Sequence, residues 1–232
     1  MNVQGFQKMT LLDFPGHVAA TVFTGGCNLR CPFCHNAGLV RTPNASESME
    51  DEVLAYLSRR RGILDGICIT GGEPLLQPDL ADFVARVKGM GFLVKLDTNG
   101  ALPKQLKALL ATGLIDYVAM DIKSSPDGYA LATGSGIDPA VFAESVDIIK
   151  HSGVAHEFRT TAVKGIHTVA DFEKIGRWIG AGERYFIQGF VDSHNLIGTG
   201  CEAFNATETE ALLAAVRQYI PEASVRGSET EN

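Results

Sequence analysis

The stretch from Val18 to Asn36, VAATVFTGGCNLRCPFCHN, joins an apolar run to a loop with three closely spaced cysteines. The cysteines are Cys27, Cys31 and Cys34, so their spacing is C-x3-C-x2-C, and no fourth cysteine lies nearby. A [4Fe–4S] cube is normally held by one thiolate on each iron. Three thiolates would therefore leave one iron open to a ligand that the protein does not supply. This arrangement is typical of a catalytic cluster rather than a closed structural one.

Two simpler uses of these cysteines compete with a cluster. A zinc ion is usually held by a tetrahedral set of N and S ligands, and the adjacent residues Cys34 and His35 can hardly both reach one such ion. A disulfide framework is disfavoured because the chain has an odd number of cysteines and no secretory signal opens it. Outside the loop, Cys68 lies in the apolar run GICIT and Cys201 follows Gly200, so both are interpreted as ordinary small residues.

Length, composition and charge restrict the class of protein. The chain has 232 residues, of which 45% are hydrophobic and 20% charged, enough for one well-filled core. The net charge of −7 argues against general nucleic-acid binding, which requires a basic surface. No apolar run approaches the ~20 residues that a membrane helix needs. Unpaired thiols without an export signal favour the cytoplasm, and an exposed cluster favours an anaerobic setting. We predict one domain over residues 1–226 and a loose polar tail over 227–232.

Short β-rich runs alternate with longer amphipathic runs along the chain. The predicted strands are near-continuous apolar runs, as in parallel sheets covered on both faces: Val18–Thr24, Gly66–Thr70, Leu93–Asp97, Tyr117–Asp121, Glu157–Ala162 and Tyr185–Gly189. The predicted helices are Ser48–Arg60, Pro78–Met90, Lys104–Ala111, Ala140–His151, Val169–Ile179 and Glu208–Tyr219. Thr207 and Glu210 resemble a capping box at the start of the last helix. Such βα units in series predict an α/β barrel or an open parallel sheet.

Polar residues cluster where each predicted strand ends. These sets are Thr70-Gly71-Gly72-Glu73-Pro74, Asp97-Thr98-Asn99-Gly100, Asp121-Ile122-Lys123, Arg159 with Thr161, and Gln188. The carboxyl ends of parallel strands form the binding face of an α/β fold, so these sets should converge on the cysteine loop. Each set alone has a simpler explanation, such as a tight turn, a capped turn or a solvated ion pair. Their recurrence at successive strand ends favours a single site.

Four motifs together identify a resemblance that none of them carries alone. The motifs are CNLRCPFCHN, TGGEPLLQ, LDTNG and MDIK, and the similarity extends from Asp13-Phe14-Pro15-Gly16 through Gln188. The chain resembles the radical S-adenosylmethionine (SAM) superfamily, and within it the short activating enzymes of glycyl radical enzymes. This resemblance implies a partial (βα)6 barrel in which parallel strands are surrounded by helices.

The resemblance also implies which residues hold the cofactors. Cys27, Cys31 and Cys34 would bind three irons, and the amine and carboxylate of SAM would bind the fourth. In the cysteine loop, Phe33, His35 and Asn36 would lie near the adenine of SAM. At the other strand ends, Gly71, Gly72 and Glu73 would receive the methionine amine, and Arg159 would lie near the methionine carboxylate. Asp121 and Lys123 would contact the ribose, the carboxylate and a monovalent cation. Asp97 and Thr98 match a turn that binds a monovalent cation. His194 matches a downstream ligand contact only loosely and is left outside the predicted site.

The implied reaction is a radical transfer between two proteins. A reduced cluster would cleave SAM, and the resulting 5′-deoxyadenosyl radical would take hydrogen from the Cα of a glycine in a partner. Because the stretch Asn36–Glu50 contains no cysteine, we expect no inserted ferredoxin-like segment. The opening sequence then favours activation of anaerobic (class III) ribonucleotide reductase. The electron donor would be a flavodoxin- or ferredoxin-type protein.

Three other functions stay open from the sequence. The first is the activation of pyruvate formate-lyase, although an arginine usually follows the Gly-Pro-Gly of those activators and His17 follows Gly16 here. The second is a radical enzyme acting on a small molecule, such as 7-carboxy-7-deazaguanine synthase, which shares the cluster loop. The third is a non-catalytic cluster protein, for which a fourth cysteine ligand would be expected.

Overall fold

The computed structural model describes residues 1–41, 49–192 and 195–226. Its strands are β1 (Val3–Thr10), β2 (Ala19–Thr24), β3 (Gly66–Gly71), β4 (Leu93–Thr98), β5 (Tyr117–Asp121), β6 (Ala155–Ala162), β7 (Tyr185–Gly189) and β8 (Ser224–Arg226). Its helices are α1 (Ala37–Arg41), α2 (Glu50–Ser58), α3 (Leu80–Gly89), α4 (Pro103–Leu110), α5 (Tyr129–Thr133), α6 (Pro139–Lys150), α7 (Val169–Ile179) and α8 (Ala206–Arg217). The predicted tail and His194 lie outside the described residues.

The described strands form one sheet in chain order from β1 to β8. β1 is antiparallel to β2, and each later pair of neighbours is parallel. The six strands β2 to β7 are each followed by helix, which confirms the predicted partial barrel. β1 and β8 were not predicted. Only the first and last residues of β1 are buried, and β8 has three residues, so neither has a long apolar run.

The predicted helices are confirmed with small shifts of their ends, and α7 has the predicted bounds. The five-residue helices α1 and α5 are too short to show a helical period in the sequence. The predicted capping box is wrong. The side chain of Asn205 accepts from the Glu208 N–H, and the Glu208 carboxylate accepts from the Asn205 N–H, each at 2.9 Å. The helix therefore begins two residues earlier, because Asn caps as well as Thr does.

The link between β1 and β2 closes the end of the barrel that lies away from the carboxyl ends of the strands. Phe14 is 2% exposed and packs with Ala19 and Tyr117, at the starts of β2 and β5. Asp13 accepts a hydrogen bond from the Thr21 hydroxyl. The Asp-Phe-Pro-Gly motif therefore packs the far end of the barrel. Among the helices that the structure describes, none has the length and apolar character needed to span a membrane.

Charged side chains occupy the interior of the barrel on three adjacent strands. Successive residues of a strand point to opposite faces, so Lys95 and Asp97 of β4 share the inner face. Glu157 and Arg159 share it on β6, and the register pairs Arg159 with Asp121 of β5. On β4 and on β6, the residue between the two charged residues is apolar and buried. Strand alternation thus separates an apolar layer under the helices from a charged interior.

Candidate active site

The cysteine loop follows β2 along the wall of a cavity of about 180 Å³. Cys27, Cys31 and Cys34 all line this cavity. The Cys34 N–H donates to the Cys31 carbonyl at 3.1 Å, and the Leu29 N–H donates to Cys27 Sγ at 3.4 Å. Burial raises the pKa of Cys27 and raises the pKa of Cys31 to about 12. Metal binding must therefore displace thiol protons, as thiolate ligands generally require.

The three thiols suit a cluster better than a single metal ion. In residues 1–41, 49–192 and 195–226, no group of three or more His, Cys, Asp and Glu side chains is arranged to hold one ion. A cubane places each thiolate on a different iron, so its ligands surround the cluster and need not meet at one point. The donor set is all sulfur, which iron–sulfur clusters require. The residues present therefore fit a [4Fe–4S] cluster with one iron lacking a protein ligand.

The other predicted residues converge on the same cavity. With the cysteines, the residues that line it are Phe33, His35, Asn36, Gly71, Gly72, Asp97, Thr98, Asp121, Lys123 and Arg159. Two residues expected at this site do not line it: Glu73, and Gln188 at the end of β7. Leu29, Val40, Thr70, Asn99 and Thr161 complete the wall. The contacts of each residue toward SAM stay predictions, because the cavity shows which residues meet and not which ligand atoms they hold.

The glycines after β3 have a packing reason to be glycine. A Cβ on Gly72 would lie 1.9 Å from the Gly26 carbonyl oxygen. Gly71 has φ +113°, and a Cβ there would lie 2.4 Å from the Thr24 nitrogen. The loop after β3 therefore packs directly on the start of the cysteine loop. Asn36 strengthens this contact, since its side-chain amide donates to the Gly71 carbonyl at 3.1 Å.

Glu73 connects the loop after β3 to the turn after β4. Its carboxylate is fully buried and accepts from the Thr98 hydroxyl and the Asn99 N–H, both at 2.8 Å, and from the Leu75 N–H at 3.1 Å. Burial raises the pKa of Glu73 to about 7, although these three donors oppose the shift. The Asn99 side chain in turn donates to Asn28 Oδ1 at 2.9 Å, inside the cysteine loop. Glu73 thus positions residues of the cavity wall without lining the cavity itself.

A chain of alternating charges forms the side of the cavity built by β4, β5 and β6. Lys95 Nζ contacts Asp97 Oδ1, and Arg159 Nη2 lies 2.9 Å from Asp97 Oδ2. Arg159 Nε lies 2.6 Å from Asp121 Oδ1, and Lys123 Nζ lies 2.9 Å from Asp121 Oδ2. The four residues other than Lys95 belong to the predicted site. Lys95 was missed because the sequence interpretation treated it as part of a strand.

The charges of this network support one another. Burial alone would raise the pKa of Asp97 and of Asp121, but Arg159 lies beside both and holds each pKa below its usual range. Burial would likewise lower the pKa of Lys95 and of Lys123, but Asp97 and Asp121 raise them. All five side chains are therefore charged at neutral pH, and the network carries one net positive charge.

Aromatic rings form another part of the wall. Phe33 is buried, and its ring centroid lies 6.1 Å from that of His167. His35 lines the cavity with an exposed ring, whose centroid lies 5.5 Å from that of Phe190. Burial lowers the pKa of His35, and the nearby Lys123 lowers it further. A neutral His35 beside Phe33 suits a flat, weakly polar group.

His167 is a positioning residue that the sequence did not reveal. Its Nε2 lies 2.8 Å from the Lys123 carbonyl oxygen, and its Nδ1 accepts from the Val163 N–H at 3.0 Å. Since Nδ1 accepts, the proton sits on Nε2 and is donated to Lys123. Burial lowers the pKa of His167, which keeps the ring neutral, and its two hydrogen-bond partners select this tautomer. The backbone of Lys123 is thereby held to the loop after β6.

Comparison with known proteins identifies the family. The family model described as the radical SAM superfamily matches residues 21–179. A Methanocaldococcus jannaschii protein named as a glycyl-radical enzyme activating enzyme is 34% identical over 196 residues, 81% of this chain and 79% of that protein. The pyruvate formate-lyase-activating enzyme of Clostridium pasteurianum is 34% identical over 140 residues, 58% of each chain. The crystal structure of Streptococcus suis SuiB bound to precursor peptide SuiA has a TM-score of 0.69, covering 90% of this chain and 48% of that chain at 13% identity, which is a likeness of fold. The chain belongs to the radical SAM superfamily and is a radical SAM enzyme.

Proposed function

We propose that this enzyme activates a glycyl radical enzyme by removing a hydrogen atom from the Cα of one glycine in that partner. The carrying observation is the similarity to a glycyl-radical enzyme activating enzyme over four fifths of the chain. The cavity supports it, because three thiols face a fixed set of charges across one space. Asn36–Glu50 contains no cysteine, which agrees with an activase that has a single cluster.

The cofactors implied by the family are a [4Fe–4S] cluster and SAM. Cys27, Cys31 and Cys34 would hold the cluster through three irons, which leaves the fourth for SAM. When bound and reduced, the cluster supplies one electron that cleaves the S–C5′ bond of SAM, giving methionine and the radical that removes the hydrogen. The chain itself supplies binding and orientation rather than acid–base chemistry.

The ion network would orient the charged end of SAM. Lys123 and Arg159 line the cavity and suit a carboxylate, and Asp121 suits an amine or a ribose hydroxyl. Because Asp97 and Asp121 hold Arg159 at 2.9 and 2.6 Å, its guanidinium is in place before the ligand arrives. Preorganised charges of this kind need no rearrangement when the ligand binds. Phe33 and His35 would pack against the adenine.

We further propose anaerobic ribonucleotide reductase as the partner, a flavodoxin- or ferredoxin-type protein as the electron donor, and a cytoplasmic setting. The choice of the reductase rests on the similarity of the opening residues 5–36 to its activators. Unpaired thiols and a cluster ligand set support a reducing compartment. A flexible glycine loop of the partner would lose conformational entropy on entering the site, so an isolated glycine peptide should bind weakly.

Electron paramagnetic resonance tests this proposal directly. The reduced, reconstituted enzyme is incubated with SAM and, separately, with class III ribonucleotide reductase and with pyruvate formate-lyase. We expect a glycyl doublet on the reductase, with 5′-deoxyadenosine formed in step. Deuterium on the partner's glycine Cα should appear in the 5′-deoxyadenosine. Cys31→Ala should abolish the signal, and Cys201→Ala, outside the cavity, should preserve it.

Each alternative function predicts a different result in the same assay. A doublet on pyruvate formate-lyase alone would move the partner to that enzyme and keep the activase function. Transfer of label from a small molecule, with no protein radical on either partner, would replace the activase with a small-molecule radical enzyme. Absence of SAM cleavage in a fully reconstituted sample would overturn the enzymatic proposal altogether.

A further inference from the structure

We infer that Lys95 supplies, from within the chain, the positive charge that a monovalent cation would otherwise bring to Asp97, so that this site takes neither K⁺ nor Na⁺. Lys95 is 1% exposed and lies on the same inner face of β4 as Asp97. The inference rests on the proposed SAM site, because it concerns the charge network of that site. It makes Lys95 a positioning residue, which acts on the ligand through Asp97 and Arg159.

Every carboxylate oxygen of the network already has a cationic partner. Asp97 Oδ1 contacts Lys95 Nζ, and Asp97 Oδ2 lies 2.9 Å from Arg159 Nη2. Asp121 Oδ1 lies 2.6 Å from Arg159 Nε, and Asp121 Oδ2 lies 2.9 Å from Lys123 Nζ. A monovalent cation would need several oxygen ligands. It would have to displace an ammonium or a guanidinium to obtain them here.

Thr98, the second residue of the predicted cation turn, has a different hydrogen-bond partner from Asp97. The Thr98 hydroxyl donates to Glu73 Oε1 at 2.8 Å and accepts from the Gly100 N–H at 3.2 Å. Asp97, next to it in the chain, faces Lys95 and Arg159. The two side chains expected to share one cation therefore belong to separate hydrogen-bond networks. Thr98 helps to anchor the turn rather than to bind an ion.

Charge balance leads to the same conclusion. Lys95, Arg159 and Lys123 together outnumber Asp97 and Asp121 by one positive charge. A further cation would meet net repulsion in a largely buried place, where electrostatic interactions are poorly screened. A tethered ammonium has the charge of K⁺ and cannot diffuse away. Lys95 Nζ also lies 3.6 Å from Cys68 Sγ, a neutral thiol whose pKa burial raises, which leaves Asp97 as its charged partner in the network.

Thermal unfolding of the cluster-free protein tests the inference without any activity. Wild type and Lys95→Met are melted in KCl, NaCl and tetramethylammonium chloride at equal ionic strength. The methyl groups of tetramethylammonium keep carboxylate oxygens from approaching its charge as closely as they approach K⁺ or Na⁺. The wild-type Tm should differ by no more than about 1 °C among the salts. The variant should melt lower in tetramethylammonium and recover by about 2 °C or more in KCl or NaCl, as a cation replaces the lost ammonium.

Lys88→Met is the matched control, because Lys88 pairs with Asp116 at 2.8 Å outside the site. It should lower Tm equally in all three salts. If Lys95→Met fails to fold, Lys95→Gln takes its place. A wild-type Tm that rises in KCl relative to tetramethylammonium would overturn the inference. The inference would also be overturned if the Tm of the wild type and the Tm of the Lys95 variant were both independent of the salt. Lys95 would then not occupy the place of a cation.

Titration of SAM into the reconstituted enzyme separates this inference from the proposed function. Wild-type affinity should be the same in KCl and tetramethylammonium chloride. In tetramethylammonium, Lys95→Met should bind SAM more weakly by about tenfold or more, with partial recovery in KCl. If the wild type binds no SAM, the proposed function fails, whereas the melting comparison still decides the role of Lys95.

Discussion

Glu73 belongs to a motif whose glycines line the cavity, but its own side chain does not line it. It follows two glycines whose loop lines the cavity, but its own carboxylate is turned away and completely buried. Its three hydrogen-bond donors come from the turn after β4 and from its own loop. Burying this carboxylate costs free energy, and the same carboxylate holds two segments of the cavity wall in place. That cost is measurable, because burial raises its pKa from 4.5 to about 7.

We predict that the contribution of Glu73 to the free energy of unfolding decreases as the pH rises from about 5 to about 8. Between its unfolded pKa of 4.5 and its folded pKa of about 7, the unfolded chain releases this proton and the folded chain keeps it. The stabilisation is fully present below pH 4.5 and is lost as pH rises through about 7. The free energy of unfolding should fall by about 2 kcal/mol relative to Glu73→Gln over this range.

Urea unfolding of cluster-free wild type and Glu73→Gln at the two pH values measures this difference. The comparison cancels the contributions of other titrating groups, such as Asp97, that both proteins share. Glu52→Gln, on the exposed side of α2, is the matched control and should show no such change. A difference between wild type and Glu73→Gln that stays constant with pH would contradict the raised pKa.

At the scale of elements, the predicted and the observed N-terminal caps of α8 differ. The sequence offers Thr207 with Glu210, whereas the structure uses Asn205 with Glu208. Both pairs have the spacing of a capping box, so local pattern alone cannot choose between them. The choice depends on where the chain leaves the extended conformation, and Asn205 is still extended. α8 then packs against α7, which fixes its position in the fold.

We predict that Asn205→Ala lowers the free energy of unfolding by about 1 kcal/mol, because the Glu208 N–H loses the Asn205 side chain as its acceptor. Thr207→Ala, one residue into the helix and exposed, should change stability by less than about 0.5 kcal/mol. Urea denaturation of the two variants provides the comparison. A larger loss for Thr207→Ala than for Asn205→Ala would restore the capping box predicted from the sequence.

At the scale of the whole molecule, an ion pair between a buried carboxylate and a partly exposed arginine joins β8 to the interior of the barrel. Arg226 donates to both carboxylate oxygens of Glu157, at 2.6 and 2.8 Å, and the Tyr117 hydroxyl donates to the same carboxylate at 2.8 Å. The Arg226 guanidinium also lies 3.6 Å from the ring centroid of Phe186. Burial would raise the pKa of Glu157, but Arg226 lowers it below its usual value. These contacts link the four strands β5 to β8.

We predict that Arg226→Ala destabilises the protein by about 3–5 kcal/mol, because it leaves the Glu157 carboxylate buried without its cation. Adding Glu157→Gln should recover part of this loss, since no buried charge then remains. Arg177→Ala is the control, because Arg177 contacts Glu173 and Tyr219 in an exposed position and should cost much less than Arg226→Ala. Equal losses for Arg226→Ala and Arg177→Ala in urea unfolding would show that the interior pair contributes little.

Local sequence pattern was sufficient to predict the six parallel strands, their helices and most of the residues that line the cavity. Apolar runs and helical periods are local, so strands such as Tyr117–Asp121 can be identified without knowledge of their partners. Asp97 and Asp121 end their predicted strands, and the parallel arrangement brings these strand ends to the same edge of the sheet. The three-cysteine spacing is also local, and the family match to residues 21–179 agrees with it.

The partner of each polar side chain could be identified only from the packing of the folded chain. Glu73 turns inward to Thr98, Lys95 pairs with Asp97, and His167 holds Lys123, although these pairs are not distinguished by sequence pattern. The reason is physical. A hydrogen bond or ion pair depends on distances of a few tenths of an ångström, set by strand register and by the packing of loops far apart in the chain. Local pattern predicts where charges gather, and three-dimensional packing decides which of them neutralise each other.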